Sequence, residues 1–172
     1  KVNYHPIIGT SSMNYGYIKG GLQPSTVAGE CLLQIDRRWI PGEKYENILK
    51  QYRDIIDKLE KEDEKFKCKM KVMDVSLMRD GYVHEAMETD KNHTFVKIVS
   101  EIVHLITGNI PKRTGFTAWS DGGLLNSYGN IPTVIFAPGC IESAHSNREY
   151  IDIESLLPAV FSYALICHKF CK

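Results

Sequence analysis

The chain has 172 residues with 21 basic and 21 acidic side chains, so its formal net charge is zero. That balance excludes partners gripped by bulk electrostatics, namely nucleic acid and anionic membrane, and no apolar run approaches the ~18 residues of a spanning helix. Five cysteines without a Cys-x-x-Cys pair read as free thiols in a reducing, cytoplasmic compartment. The length suits one domain or two small ones. The opening Lys1-Val2-Asn3-Tyr4-His5-Pro6 resembles neither a signal peptide nor a natural start, so the chain reads as part of something longer.

Residues 15–20 predict a strand that ends at the Gly20-Gly21 turn. A second strand is predicted over 30–38, with Cys31, Leu33 and Ile35 on an apolar face and Gln34, Asp36 and Arg38 on a polar one. Pro41-Gly42 stops it. From 43 to 60, Tyr45, Ile48, Leu49, Tyr52, Ile55, Ile56 and Leu59 recur at helical spacing. Phe66, Cys68, Met70 and Val72 alternate with Lys67, Lys69 and Lys71, which predicts a half-buried strand with a wet face. Strand, strand, helix, strand is the second half of a split βαβ unit.

The composition shifts around 78–81. A largely buried helix follows, opened by Asn92 or Thr94 and stopped by Gly108. Ser120 or Asp121 can cap a short helix that ends at Gly129-Asn130. Thr133 to Ala137 is an apolar, β-branched run, which predicts a parallel strand covered on both faces. Pro138-Gly139 turns the chain at its C-terminal end, where open α/β sheets place ligands, and the loop beyond carries His145 and Glu149. Ile153, Leu156, Leu157, Val160, Phe161, Ala164 and Leu165 predict a closing amphipathic helix, with Ser155 as N-cap so that Pro158 falls in its first turn.

Ser120-Asp121-Gly122, Ala137-Pro138-Gly139 and Ala144-His145-Ser146-Asn147-Arg148-Glu149 follow one another in a known order and spacing. The stretch resembles the closing segment of the dinuclear-zinc metallopeptidases and deacylases, among them acetylornithine deacetylase, succinyl-diaminopimelate desuccinylase, aminoacylase and the glutamate carboxypeptidases. Their pattern is Thr-Asp-Ala, an apolar strand, Gly-Pro-Gly and Ala-His-Ser-x-Asn-Glu. Earlier, Gly20-Gly21, Ser25-Thr26-Val27-Ala28, Ile35-Asp36-Arg37-Arg38 and Pro41-Gly42-Glu43 resemble the signature of the family's lid, or dimerisation, domain.

The resemblance implies an α/β chain in two parts. Residues 1–80 would be the C-terminal part of a ferredoxin-like lid, and 81–172 the C-terminal part of an α/β zinc-peptidase catalytic domain. It also implies a zinc hydrolase of amide bonds beside a carboxylate, acting on small N-acyl amino acids or peptides, with two zinc ions that cobalt can replace. The lid would form a homodimer. His145 takes the place of a zinc ligand, with Glu149 and Asp121 in support. Arg38 takes the place of a carboxylate-binding arginine, and Ser25 that of a substrate-contacting asparagine.

Each of these residues also has a plainer reading. His145 can be a surface loop histidine, Asp121 a helix cap, and Arg38 the partner of Asp36. Cys140 with His145 lacks the orienting group and oxyanion donors that a thiol nucleophile needs. His84-Glu85-Ala86-Met87-Glu88 lacks the second histidine of a zinc-protease helix. No histidine is followed two places later by aspartate and no Glu-Glu pair occurs, so the family's remaining ligands and its general base have no counterpart here. The chain alone is therefore expected to be inactive. A non-catalytic dimerisation module is the alternative; a cofactor-binding domain built on Asp121-Gly122-Gly123 lacks the G-x-G-x-x-G run.

Overall fold

The computed structural model describes residues 3–77, 81–144 and 146–171. Residue contacts divide the chain into two compact units, one running to Ala86 and the other starting at Met87.

The first unit is built on an antiparallel hairpin of β1 (Ser12–Gly20) and β2 (Cys31–Arg38). Its register runs from Ser12 opposite Arg38 to Gly20 opposite Cys31, interrupted where Tyr15 faces Ile35 and Tyr17 faces Gln34. Gly16 is thus the extra residue of a β-bulge. Past the bulge the alternation reverses, so Met13, Tyr15 and Ile18 share a face with Leu33, Ile35 and Arg37. Helix α1 (Tyr45–Glu62) follows the turn at Gly42 and buries Ile48. Tyr52 ties it to the hairpin by donating its hydroxyl proton to Met13 Sδ at 3.2 Å. Burial pushes the Tyr52 phenol up, against an opposing pull from the Arg37 cation and a small push from Tyr15.

The strand expected over 66–72 is not formed: among the described residues the sheet has two strands only. Phe66, Met70 and Val72 are half-buried and the intervening lysines exposed, but Cys68, expected on the apolar side, is exposed as well, so the alternation holds only in part. Alternation sets which side a residue faces, whereas a ladder also needs a neighbouring backbone in register, and residues 66–72 pair with neither outer edge of the hairpin.

In the second unit, α2 (Thr94–Thr107) packs against α4 (Ile153–Phe170) around Val99, Ile102, Val103 and Ile166. Gly108 closes α2 in the left-handed conformation, φ 72°, as its sequence position predicts. At the other end the cap is His93, whose Nδ1 accepts from Phe95 N at 3.1 Å, rather than Asn92 or Thr94. Lys169 donates to Glu101 across the helix pair at 2.9 Å.

Helix α4 corrects two expectations. Asp152, not Ser155, occupies the N-cap, because Ser155 turns both its amide and its hydroxyl onto Asp152 O, at 3.0 and 2.6 Å, and closes the first turn early. Pro158 therefore lies inside the helix, where it offers no N–H to the Glu154 carbonyl. The buried face consists of Ala159, Ser162 and Ile166, the first two small enough to let α2 approach, while Ile153, Leu157, Val160 and Phe161 stay exposed.

The segment 131–137 forms no ladder either. Val134 and Phe136 pack on the α2–α4 core, whereas Ile135 on the other side is 37% exposed. Only one face is covered, in place of the two expected.

Candidate functional site

Helix α3 (Gly122–Ser127) starts after Asp121, which stands at the N-cap position without a side-chain capping bond. Its own backbone is helical there, and its carbonyl accepts from the Leu124 and Leu125 amides at 3.0 and 3.2 Å. The helix unwinds through Gly129 and Asn130, the latter at φ 51°. Gly129 is the residue that fits: a Cβ there would meet Leu125 O at 2.6 Å.

After 131–137 the chain turns at Pro138-Gly139, where Gly139 takes φ 109°. The loop beyond is held by short-range bonds. Cys140 Sγ donates to Glu142 Oε2 at 2.8 Å. That bond, together with Glu142's own amide, holds the carboxyl below the usual carboxylate range. Ser143 Oγ donates to Cys140 O at 2.9 Å and Ser146 Oγ to Ser143 O at 2.7 Å. The Arg148 amide donates back to Ser146 Oγ at 3.1 Å, and the Glu149 amide to Ser146 O at 3.2 Å. His145 lies outside the described residues.

The substrate candidates lie in the first unit. Arg38 ends β2, and its Nε donates to Asp36 Oδ2 at 3.1 Å, with side chains 60% and 57% exposed. This is the plainer pairing expected from the sequence, and it leaves the guanidinium facing solvent. Ser25 sits in the turn of the hairpin loop, where Gln23 Nε2 donates to Thr26 Oγ1 at 3.0 Å and the Thr26 amide to Gln23 O at 3.1 Å. That loop leaves the ladder at the Gly20–Cys31 pair, the opposite end from Arg38. At about 3.3 Å per residue, Cys31 and Arg38 are roughly 23 Å apart.

The residue that sequence reasoning missed is Arg38's neighbour. Arg37 Nη2 donates to Glu43 Oε1 at 3.1 Å, with side chains 21% and 8% exposed. Glu43 Oε2 also accepts from the Ile40 amide at 3.2 Å. The signal was available, since Arg37 shares the Leu33–Ile35 face and Glu43 follows the Pro41-Gly42 turn.

Among the described residues, no three His, Cys, Asp or Glu side chains converge to hold a metal ion. A catalytic zinc needs about three protein donors, so the described donor set does not fit a two-zinc centre.

Residues 3–64 match the peptidase dimerisation domain. Over 167 residues the chain is 28% identical to N-formyl-4-amino-5-aminomethyl-2-methylpyrimidine deformylase of Halalkalibacterium halodurans, covering 95% of this chain and 39% of that protein. Acetylornithine deacetylase of Myxococcus xanthus is 24% identical over 161 residues, covering 94% and 38%. An M20 family metallo-carboxypeptidase from Sulfolobus solfataricus shares the fold, with a TM-score of 0.66 at 16% identity over 92% of this chain and 35% of that structure. The chain thus spans about two fifths of the length of the curated relatives it matches.

Proposed function

We propose, from the match of residues 3–64 to the peptidase dimerisation domain and the similarity to a deformylase, a deacetylase and an M20 metallo-carboxypeptidase, that the chain is part of a cytoplasmic, zinc-dependent hydrolase of C–N amide bonds beside a carboxylate. The observation that carries the amide-bond reading is co-linearity: one alignment runs through the lid signature and the Ala144–Glu149 motif over 95% of the chain, and the neighbouring carboxylate is taken from the similarity to acetylornithine deacetylase. Residues 1–80 are the lid part and 81–172 the catalytic part. The substrate is a small N-acyl amino acid or peptide.

Arg38 anchors its carboxylate, which suits a planar guanidinium that Asp36 orients and solvent reaches. Ser25, at the far end of the hairpin, does not meet the same small substrate as Arg38 within one copy of the chain. His145 contributes one zinc ligand, with Glu149 and Asp121 shaping their two loops, and cobalt substitutes for zinc. The remaining donors and the general base lie outside these 172 residues. A hydrolytic zinc site with one protein donor neither holds its metal nor activates water.

The chain by itself is therefore expected to hydrolyse no N-acetylated amino acid, with zinc or with cobalt added. Turnover that survives purification and vanishes in the His145→Ala chain would mean a complete site exists here.

Self-association through the lid follows from the same match. The hairpin has only two strands among the described residues, so each strand has an outer edge without a ladder neighbour, and such edges recruit another chain. Sedimentation at micromolar concentration is expected to show a dimer. A monomer at every concentration would remove the dimerisation role, and with it the reading of the chain as a non-catalytic assembly module.

A further inference from the structure

One hydroxyl in the second unit serves three partners. Thr89 Oγ1 donates to Thr133 O at 2.7 Å and accepts from the Thr133 amide at 3.1 Å and from Asn126 Nδ2 at 3.3 Å. A hydroxyl has one proton and two lone pairs, so its whole capacity is used. Taking both the N–H and the C=O of one residue is what an opposing strand does at a hydrogen-bonded pair of an antiparallel ladder. Here a side chain does it.

Asn126 braces Thr89 from behind. Its Oδ1 accepts from the Glu88 amide at 3.2 Å, and its Nδ2 also reaches Ile131 O at 3.4 Å. Gly122, at the start of the same helix, allows the close fit: a Cβ there would meet both Met87 Sδ and Thr133 Cγ2 at 3.2 Å. The far end of the segment is tied by Tyr163, whose hydroxyl donates to Phe136 O and whose ring meets Phe136 edge-on at 5.4 Å. Between the two ties, Val134 and Phe136 rest on the helical core. Only Ala137 then separates this fixed segment from the Pro138-Gly139 turn.

We propose that Thr89, with Asn126 behind it, is a positioning residue for the loop that starts at Pro138, over its described residues 138–144 and 146–149. The function rests on the reading that this loop belongs to a hydrolytic site; the geometry does not. Thr89 acts through Thr133: it fixes the near end of the segment as Tyr163 fixes the far end at Phe136, and the two together set the point from which the loop starts. Segments held by a full ladder share that work among many bonds. Here it falls on two side-chain hydroxyls.

The test is residue-resolved hydrogen exchange on the whole chain. Thr89→Val keeps the shape and removes the hydroxyl. It is expected to speed exchange at the Thr133 amide about tenfold, and at the amides of 139–144 and 146–149 by a similar factor, while Val99, Ile102 and Val103 keep their rates. Thr89→Ser is expected to restore the loop. Asn126→Ala, which spares both bonds to Thr133, is expected to give about a threefold effect and serves if Thr89→Val does not fold.

Loop amides that stay at wild-type rates, a serine that fails to rescue, or core amides that accelerate in parallel would each overturn the proposal. Cobalt(II) titration followed by visible absorption, on wild type and Thr89→Val, addresses the site reading separately. Absorption in neither chain is what a single protein donor predicts, and exchange alone then judges Thr89. Strong tetrahedral absorption in the wild type would overturn the reading of the site as incomplete and leave the exchange result standing.

Discussion

Glu43→Ala is expected to destabilise the first unit by about 2–4 kcal/mol. The carboxylate is 8% exposed and holds Arg37, itself 21% exposed, at 3.1 Å. Its second oxygen takes the amide of Ile40, a residue 4% exposed. Removing it leaves a half-buried cation and a buried N–H without that acceptor, and such orphaned groups cost more than the bonds contributed. Arg37 keeps some contact with water, which sets the figure below that of a fully buried pair. Replacing both partners, Arg37→Met with Glu43→Leu, is expected to recover most of the loss. Trp39, beside Tyr45 at 6.2 Å, reports the unfolding of this unit in a Trp119→Phe background. A loss below about 0.5 kcal/mol would class the pair with ordinary surface bridges.

Ile102→Ala is expected to cost the second unit about 3–4 kcal/mol. Ile102 is 4% exposed and sits with Val99, Val103 and Ile166, where α2 meets α4. Truncation gives up the transfer energy of three carbons and leaves a cavity between two helices that other contacts hold apart. Leu105 on the same helix is 73% exposed, and Leu105→Ala is expected to cost less than about 0.5 kcal/mol. Thermal unfolding followed by circular dichroism separates the two. Equal losses would mean that α2 buries a different face.

The three long helices and the hairpin were legible in the sequence because each writes a local pattern: the 3.6-residue stripe of 45–59, Gly108 as a stop, and the two-residue alternation of 31–38. The family resemblance was legible for a different reason, since motif order survives where identity has fallen below 30%. What failed were the strands that needed a partner backbone beyond the hairpin. Residues 66–72 and 133–137 carry strand patterns, yet a pattern describes one chain and a ladder takes two. The caps failed more narrowly. His93 and Asp152 won over Asn92, Thr94 and Ser155 because the first turn closed one to three residues from the expected place. Thr89 and Asn126 left no local trace at all, since their partners lie 44 and 37 positions away.

The bulge at Gly16 changes how the hairpin compares with its relatives. Before it, odd-numbered positions of β1 share the face of Leu33, Ile35 and Arg37; after it, even-numbered ones do, as Tyr15 and Ile18 show. Gly16 works as a parity shift in the strand. A related protein without the bulge must carry its apolar positions out of phase by one on one side of this point. A single-residue gap opposite Gly16 in an alignment is therefore a structural signal, and closing it to gain identity would pair residues of one face with residues of the other along half the strand.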